Sequence, residues 1–196
     1  MTGNSATASL IGGVGLLERA MGYTLGSLQL VTADAMPRPS PCAGWDLADL
    51  LAHMNDSLKA LHEAGDVGQV AVSVSLSLGN PIRDPVATLR NRACSMLGAW
   101  AASEPPHWVT VDGCPVTGSV VTAAGALEIT VHGWDVAEAC GHHRPIPQQL
   151  ADELLPLTRL LVTDADRPHR FAPPVSTAAS ASPGERLLAF LGRTPP

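Results

Sequence analysis

The segment "GALEITVHGWDVAEACG", residues 125–141, places a carboxylate and an imidazole one helical turn apart in otherwise apolar surroundings. Glu128 and His132 are four positions apart. On an α-helix that puts them on one side, separated by a rise of about 6 Å. They share that side with Val121, Ala124, Gly125, Val131 and Asp135. A charge among small and apolar neighbours is costly unless it is paired. Glu128 and His132 can satisfy this by hydrogen-bonding to each other. Alternatively, both can ligate one metal ion, as in helix-bundle metal sites whose ligands project from facing helices. His53, at the border of an apolar stripe on another segment, is the candidate third ligand; otherwise it caps a core edge or faces solvent. Two nitrogens and one carboxylate leave coordination positions open, as catalytic zinc sites do. The mixed donor set also admits nickel, iron or manganese.

The remaining ligand-type residues are weaker candidates. His62 falls near a helix C-terminus, His142 and His143 follow Gly141, and His107 and His169 stand beside prolines, all positions expected at the solvated surface. Cys42, Cys94, Cys114 and Cys140 form no CxxC pair. Cys42 precedes His53 by eleven positions, and Cys140 follows His132 by eight. Along a helix axis that is a displacement of about 10 Å or more, so both thiols are expected away from the site. Cys114, in a turn, is left open. Arg83, Arg90 and Arg92 could hold an acidic substrate, although a solvated helix face is the simpler role.

The elements that must position these groups are mostly helical. Apolar residues over about 7–32 predict a long first helix. Pro37, Pro39 and Pro41 then force an extended loop. In "WDLADLLAHMNDSLKALHEAG", Leu47, Leu50, Leu51, Met54, Leu58 and Leu61 repeat at three and four, with Asp46 as N-cap and Gly65 as stop. Val70, Val72, Val74, Leu76 and Leu78 alternate with small residues, which favours a strand without an obvious partner. Asp84 and Pro85 open a helix to about residue 102. "VTVDGCPVTG" predicts a short hairpin around Asp112-Gly113. The helix carrying Glu128 and His132 should run from about 119 to 140, and another from about 147 to 162, kinked by Pro156. Ser182 and Glu185 have capping-box spacing before a short terminal helix docked by Leu187, Leu188, Phe190 and Leu191.

Composition narrows the class. The chain of 196 residues suffices for one domain spanning 1–196. Apolar residues make up 45% and charged residues 15%, the balance of a globular chain, and scarce aromatics leave Ala, Leu and Val to build a helical core. A net charge of -6, with Lys59 the only lysine, argues against nucleic-acid binding. No apolar run is long enough for a membrane span, and no signal peptide is read at the start. A cytoplasmic protein with reduced thiols is expected.

Three stretches resemble a known family. "PSPCAGWDLADLLAHM" is similar to the loop and helix that open actinobacterial DinB-like proteins. "LEITVHGWDVAEACG" is similar to their acid-x-x-x-His-Gly-Trp-Asp signature, and "PGERLLAFLGRTP" to their ending. Order and spacing agree as well, and the resemblance extends to the metal-binding N-terminal domain of the mycothiol-dependent maleylpyruvate isomerase type. It implies an all-α, DinB-like four-helix bundle with a short hairpin and a short C-terminal helix. It also implies a divalent metal, commonly zinc, held by His53, Glu128 and His132. Around these, Asp135 would orient a ligand or close a helix–helix contact, and Trp134 would pack, with Trp45 as partner. The chemistry implied is that of a thiol-dependent transferase or isomerase with mycothiol as co-substrate. The electrophile would sit in a pocket between the bundle and the 66–82 segment. A metal-activated water would instead give a hydrolase, hydratase or other small-molecule tailoring enzyme, and a closed site would give a non-catalytic metal- or ligand-binding module. The partner expected is a small-molecule substrate, with a homodimer also admitted.

Overall fold

Helix α1 spans Gly13–Leu28, in a computed structural model that describes residues 13–70, 84–101, 106–167 and 170–195. The part of the expected 7–32 helix before residue 13 lies outside the described residues. Its end comes earlier than expected, because the Leu30 amide closes a tight bond to the Ser27 carbonyl. Thr32 is then extended and Ala33–Ala35 form a 3-10 turn.

Helix α2 spans Leu47–Val67. It starts as expected: the Asp49 amide donates to the Asp46 carboxylate at 2.9 Å, and the Asp46 amide returns a bond to Asp49 at 3.3 Å. Gly65 is not its stop. The helix runs through Gly65 and ends at Gly68, whose φ of 67° suits the left-handed cap. The role of Gly65 is packing: a Cβ there would lie 3.0 Å from the Trp100 indole. That indole Nε1–H donates to the Leu61 carbonyl at 2.8 Å.

Asp84 caps helix α3, Pro85–Ala101, by accepting from the Ala87 amide at 2.9 Å. Strands β2, Trp108–Val111, and β3, Cys114–Thr117, form the expected hairpin. Its turn residues, Asp112 and Gly113, have φ of 47° and 81°, the two positive values of a primed turn. The alternating 70–78 run enters the described residues only through β1, Gln69–Val70, and its partner is β2, in parallel. The rest of that run lies outside them.

Helix α4, Gly118–Ala139, is followed by Gly141 at φ 78°. Helix α5, Gln148–Leu161, holds Pro156 within it, and helix α6, Pro183–Phe190, carries the Ser182/Glu185 capping box.

Contacts of α1 with α4, α4 with α2, α2 with α3, and α3 with α1 close a ring, so these four helices form the bundle. α5 and α6 pack on each other, and α5 leans on α4 and α1. Most of α4 is buried, which is why its sequence shows no clear polar face. Two glycines set how closely it is approached. A Cβ at Gly125 would come within 2.6 Å of Leu61, and one at Gly133 within 2.4 Å of Thr24. Among the described residues no helix is long and apolar enough to cross a membrane.

Candidate metal centre

α2 and α4 face each other inside the bundle, and their ligand-type residues meet there. His53 Nε2 lies 2.6 Å from Glu128 Oε1, and His132 Nε2 lies 3.2 Å from the same oxygen. The imidazole rings of His53 and His132 meet edge to face, with centroids 5.0 Å apart. Ser57, one turn beyond His53 on α2, donates its hydroxyl to Glu128 Oε1 at 3.1 Å. Glu128 is a third exposed and His53 slightly more, so this side of the cluster is reachable from outside. Beside it runs a narrow cleft lined mainly by Met21, Leu28, Met54, Leu58 and Leu89, with Glu128 and His132 at its wall.

The opposite edge of His132 is closed. Nδ1 lies 2.9 Å from Asp135 Oδ2, three residues on and fully buried. Asp135 is gripped by Arg193, whose Nη2 donates to Oδ2 at 2.9 Å and Nε to Oδ1 at 3.3 Å. Cys42 completes the group: its thiol donates to Asp135 Oδ2 at 3.3 Å and lies 3.8 Å from His132 Nδ1.

The charges follow from this arrangement. Burial works against ionisation of Glu128, yet His132 and His53 hold its pKa well below the ordinary carboxylate value. Burial also opposes a charged His132, but the Glu128 charge and the hydrogen bonds of Asp135 and Cys42 raise its pKa well above the usual imidazole value. For Asp135, burial is outweighed by the His132 hydrogen bond and the Arg193 charge, which lower its pKa.

These facts test whether a metal ion fits. An ionised Asp135 can only accept, so His132 Nδ1 donates to it. His132 Nε2 then faces the Glu128 carboxylate either with a second proton or across a cation. His53, Glu128 and His132 each offer one ligand atom, all within 4.8 Å of one another. Two imidazole nitrogens and one carboxylate oxygen, with the second nitrogen of one imidazole tied to a carboxylate, match the donor set and outer support of a catalytic divalent site.

The structure brings together the expected trio His53, Glu128 and His132, and puts Asp135 behind it. Trp45 and Trp134 do not pair as expected. The Trp45 ring meets His53, with centroids 4.8 Å apart, while Trp134 is buried in the core. Cys42 was expected far from the site, and that expectation fails. Helical rise applies only from Leu47 onward. Before it, Trp45 N bonds to Cys42 O and Leu47 N bonds to Arg38 O, folding the loop back beside α4. Arg193 was missed altogether; it lies 58 positions from Asp135, within the stretch that marked the resemblance, but nothing in its spacing pairs it with that carboxylate. His62 is not fully solvated, since its Nδ1 is buried and has no hydrogen-bond partner among the described residues. His107, His142 and His143 are exposed as expected; Cys114, which the sequence left open, is exposed on β3 and belongs to neither ligand group among the described residues. Arg92 donates to Asn55 at 2.8 Å and Arg90 is exposed. Arg83 and His169 lie outside the described residues.

The helical bundle with its short hairpin is of the DinB-like type. Within that type, the chain belongs to the family of the mycothiol maleylpyruvate isomerase N-terminal domain, whose family model matches residues 17–137. The chain is 27% identical over 182 residues to the proteins Rv0738 and MT0763 of two Mycobacterium tuberculosis strains, covering 90% of this chain and 95% of each of theirs. The crystal structure of the mycothiol-dependent maleylpyruvate isomerase superposes with a TM-score of 0.58 at 20% identity, covering 74% of this chain and 68% of that one. At that identity the likeness speaks for the fold.

Proposed function

We propose that this chain is a metal-dependent enzyme in which His53, Glu128 and His132 hold one divalent ion, zinc first among the candidates. A small thiol of the mycothiol kind would serve as co-substrate in a transfer or isomerisation. The observation that carries this reading is the approach of both Nε2 atoms to the single oxygen Glu128 Oε1, at 2.6 and 3.2 Å. The names of the family and of the structural neighbour supply the thiol.

When bound, the ion would lower the pKa of a thiol or water and so favour its nucleophilic form. The rest is done by the chain. Asp135 holds the proton of His132 at Nδ1. Ser57 holds Glu128 by its hydroxyl. Trp45 lies against His53 and limits its ring. Met21, Leu28, Met54, Leu58 and Leu89 form an apolar wall beside Glu128 and His132. The cysteine nearest the cluster, Cys42, lies on the closed Nδ1 side, so the nucleophile in this reading is an external thiol. The setting is a reducing cytoplasm, where such a thiol stays free.

The test begins with the metal content of the purified protein. A panel of small thiols is then screened for protection of the metal-loaded protein against heat. One divalent ion per chain and protection by a thiol are expected. Protection by no thiol, with turnover of ester or amide probes in its absence, would replace the thiol by water. A chain that takes up no divalent ion would end the metal reading.

A further inference from the structure

Cys42, His132 and Asp135 form a second triad whose ligand atoms lie within 4.8 Å of one another. It could pass for a second cation site, but its place is taken. The Arg193 guanidinium donates to Asp135 through two nitrogens, and its Nη2 also reaches Cys42 Sγ at 3.5 Å. A protein cation thus sits where a second metal would, with its side chain 10% exposed.

The delivery of that cation is specific. Leu187, Leu188 and Leu191 are buried in the core and anchor α6 and the turn after it. The chain then reverses at Gly192, where φ is 80°. A Cβ there would fall 2.6 Å from that of Ala172, so the reversal is both left-handed and tightly packed. The Gly192 and Arg193 amides close back on Ala189 and Leu188, each at 3.0 Å. Arg193 leaves this turn aimed at α4, 58 residues upstream.

We propose that Arg193 is a positioning residue of the metal centre, and that docking of the Pro183–Arg193 segment is a condition for tight metal binding. The guanidinium fork fixes both oxygens of Asp135. With Oδ1 and Oδ2 held, Oδ2 points at His132 Nδ1. The imidazole is then locked in rotation, with Nε2 turned toward Glu128 and His53. Without the fork the carboxylate can turn, and the ring loses the partner that sets its orientation.

This inference rests on the metal reading above, and zinc alone is the probe. Zinc affinity is measured by chelator competition for wild type, Arg193→Gln, Arg193→Lys, Asp135→Asn and the Gln/Asn double variant, with metal-free stability followed separately by denaturant. Arg193→Gln should bind zinc about 10- to 100-fold more weakly, the cost typical of groups behind a ligand. Arg193→Lys should fall between it and wild type, since an ammonium restores charge without the fork. The double variant should bind no more weakly than Asp135→Asn, because Arg193 acts through Asp135. A merely structural Arg193 would change metal-free stability and leave zinc affinity and this non-additivity untouched. Equal zinc affinity in wild type and Arg193→Gln would overturn the proposal, as would losses that multiply in the double variant. If Arg193→Gln does not fold, Arg193→Lys decides: unchanged affinity overturns the proposal, and weakened affinity supports it. A wild type that takes up no zinc removes the metal reading and this inference together, whereas zinc held equally by wild type and variants removes this inference alone.

Discussion

The two edges of His132 differ in almost every physical respect. At Nε2 the partners are a third or more exposed, come from two helices, and share one carboxylate oxygen between two imidazoles. At Nδ1 the partners are Asp135, fully buried, and Arg193, nearly so, joined by a forked pair. One edge is open; the other is closed, with the Asp135 carboxylate matched by the Arg193 guanidinium. The same ring therefore belongs to a site on one side and to the core on the other. Substitutions on the two sides should separate stability from metal binding.

The largest effect is expected on the closed side. Asp135→Ala leaves Arg193 buried without its partner, and breaking a buried pair in this way costs about 3–5 kcal/mol. Denaturant unfolding of the metal-free variant checks this. A loss no larger than that of an average surface change would mean that the Nδ1 side is not the structural one.

His53→Ala, on the open side, should do the reverse. The His53 side chain is 37% exposed, so metal-free stability should move by no more than about 1 kcal/mol, as for a partly solvated polar contact. Bound zinc should fall well below one per chain. A variant that keeps full zinc stoichiometry would show that His53 is not a ligand and that the facing-helix site is wrong.

The next expected effect is a pH dependence whose sign differs between the metal-free and metal-loaded proteins. The pKa of His132 is raised in the fold. Its contribution to metal-free stability is thus complete below the ordinary imidazole value, about 6.5, and is lost as pH rises through the raised folded value. The pKa of Glu128 is depressed. Its contribution is present above the ordinary carboxylate value and lost as pH falls through the folded one. Zinc must displace the extra His132 proton, so its affinity should climb across the range in which the metal-free protein loses stability. Melting temperatures with and without zinc should therefore draw apart as pH rises above the ordinary imidazole value, about 6.5. A constant gap would mean that no such proton is displaced.

The contrast between the two edges also marks what the sequence made legible. The open edge was readable. The four-residue spacing of Glu128 and His132 survives any helix, and His53 sits on a segment whose stripe marks α2 and whose Asp46 cap fixes its start. The closed edge was readable only in part. Asp135 lies in the signature and on the Glu128–His132 side of its helix, but α4 is buried on nearly all sides, so periodicity could not say which group would meet it there. Arg193 comes from a turn fixed by Gly192 and Ala172, a long-range approach that no local pattern encodes. Gly65 was misread because glycine serves both as helix stop and as room for a neighbour; the Trp100 indole shows that here it is the second. The error at Cys42 came from measuring a proline-rich loop with a helix's ruler. The loop returns through the Pro39–Asp46 bridge and brings the thiol to α4.

That thiol gives the smallest expected effect and the sharpest check on the comparison. Cys42 touches Asp135, His132 and Arg193, yet each of the three has a closer partner among the others. Cys42→Ser keeps a donor for Asp135. Cys42→Ala removes one hydrogen bond from a carboxylate that retains several, a change of about 0.5–1.5 kcal/mol. Both variants should fold, keep one zinc per chain and retain turnover, because an external thiol or water supplies the nucleophile. Zinc stoichiometry and rate measured on the same preparation check this. A folded, zinc-loaded Cys42→Ser that has lost all turnover would mean that chemistry takes place on the closed edge. Cys42 would then be the nucleophile, with Asp135 and Arg193 as its activating groups, and the division of His132 into a working edge and a braced edge would fail.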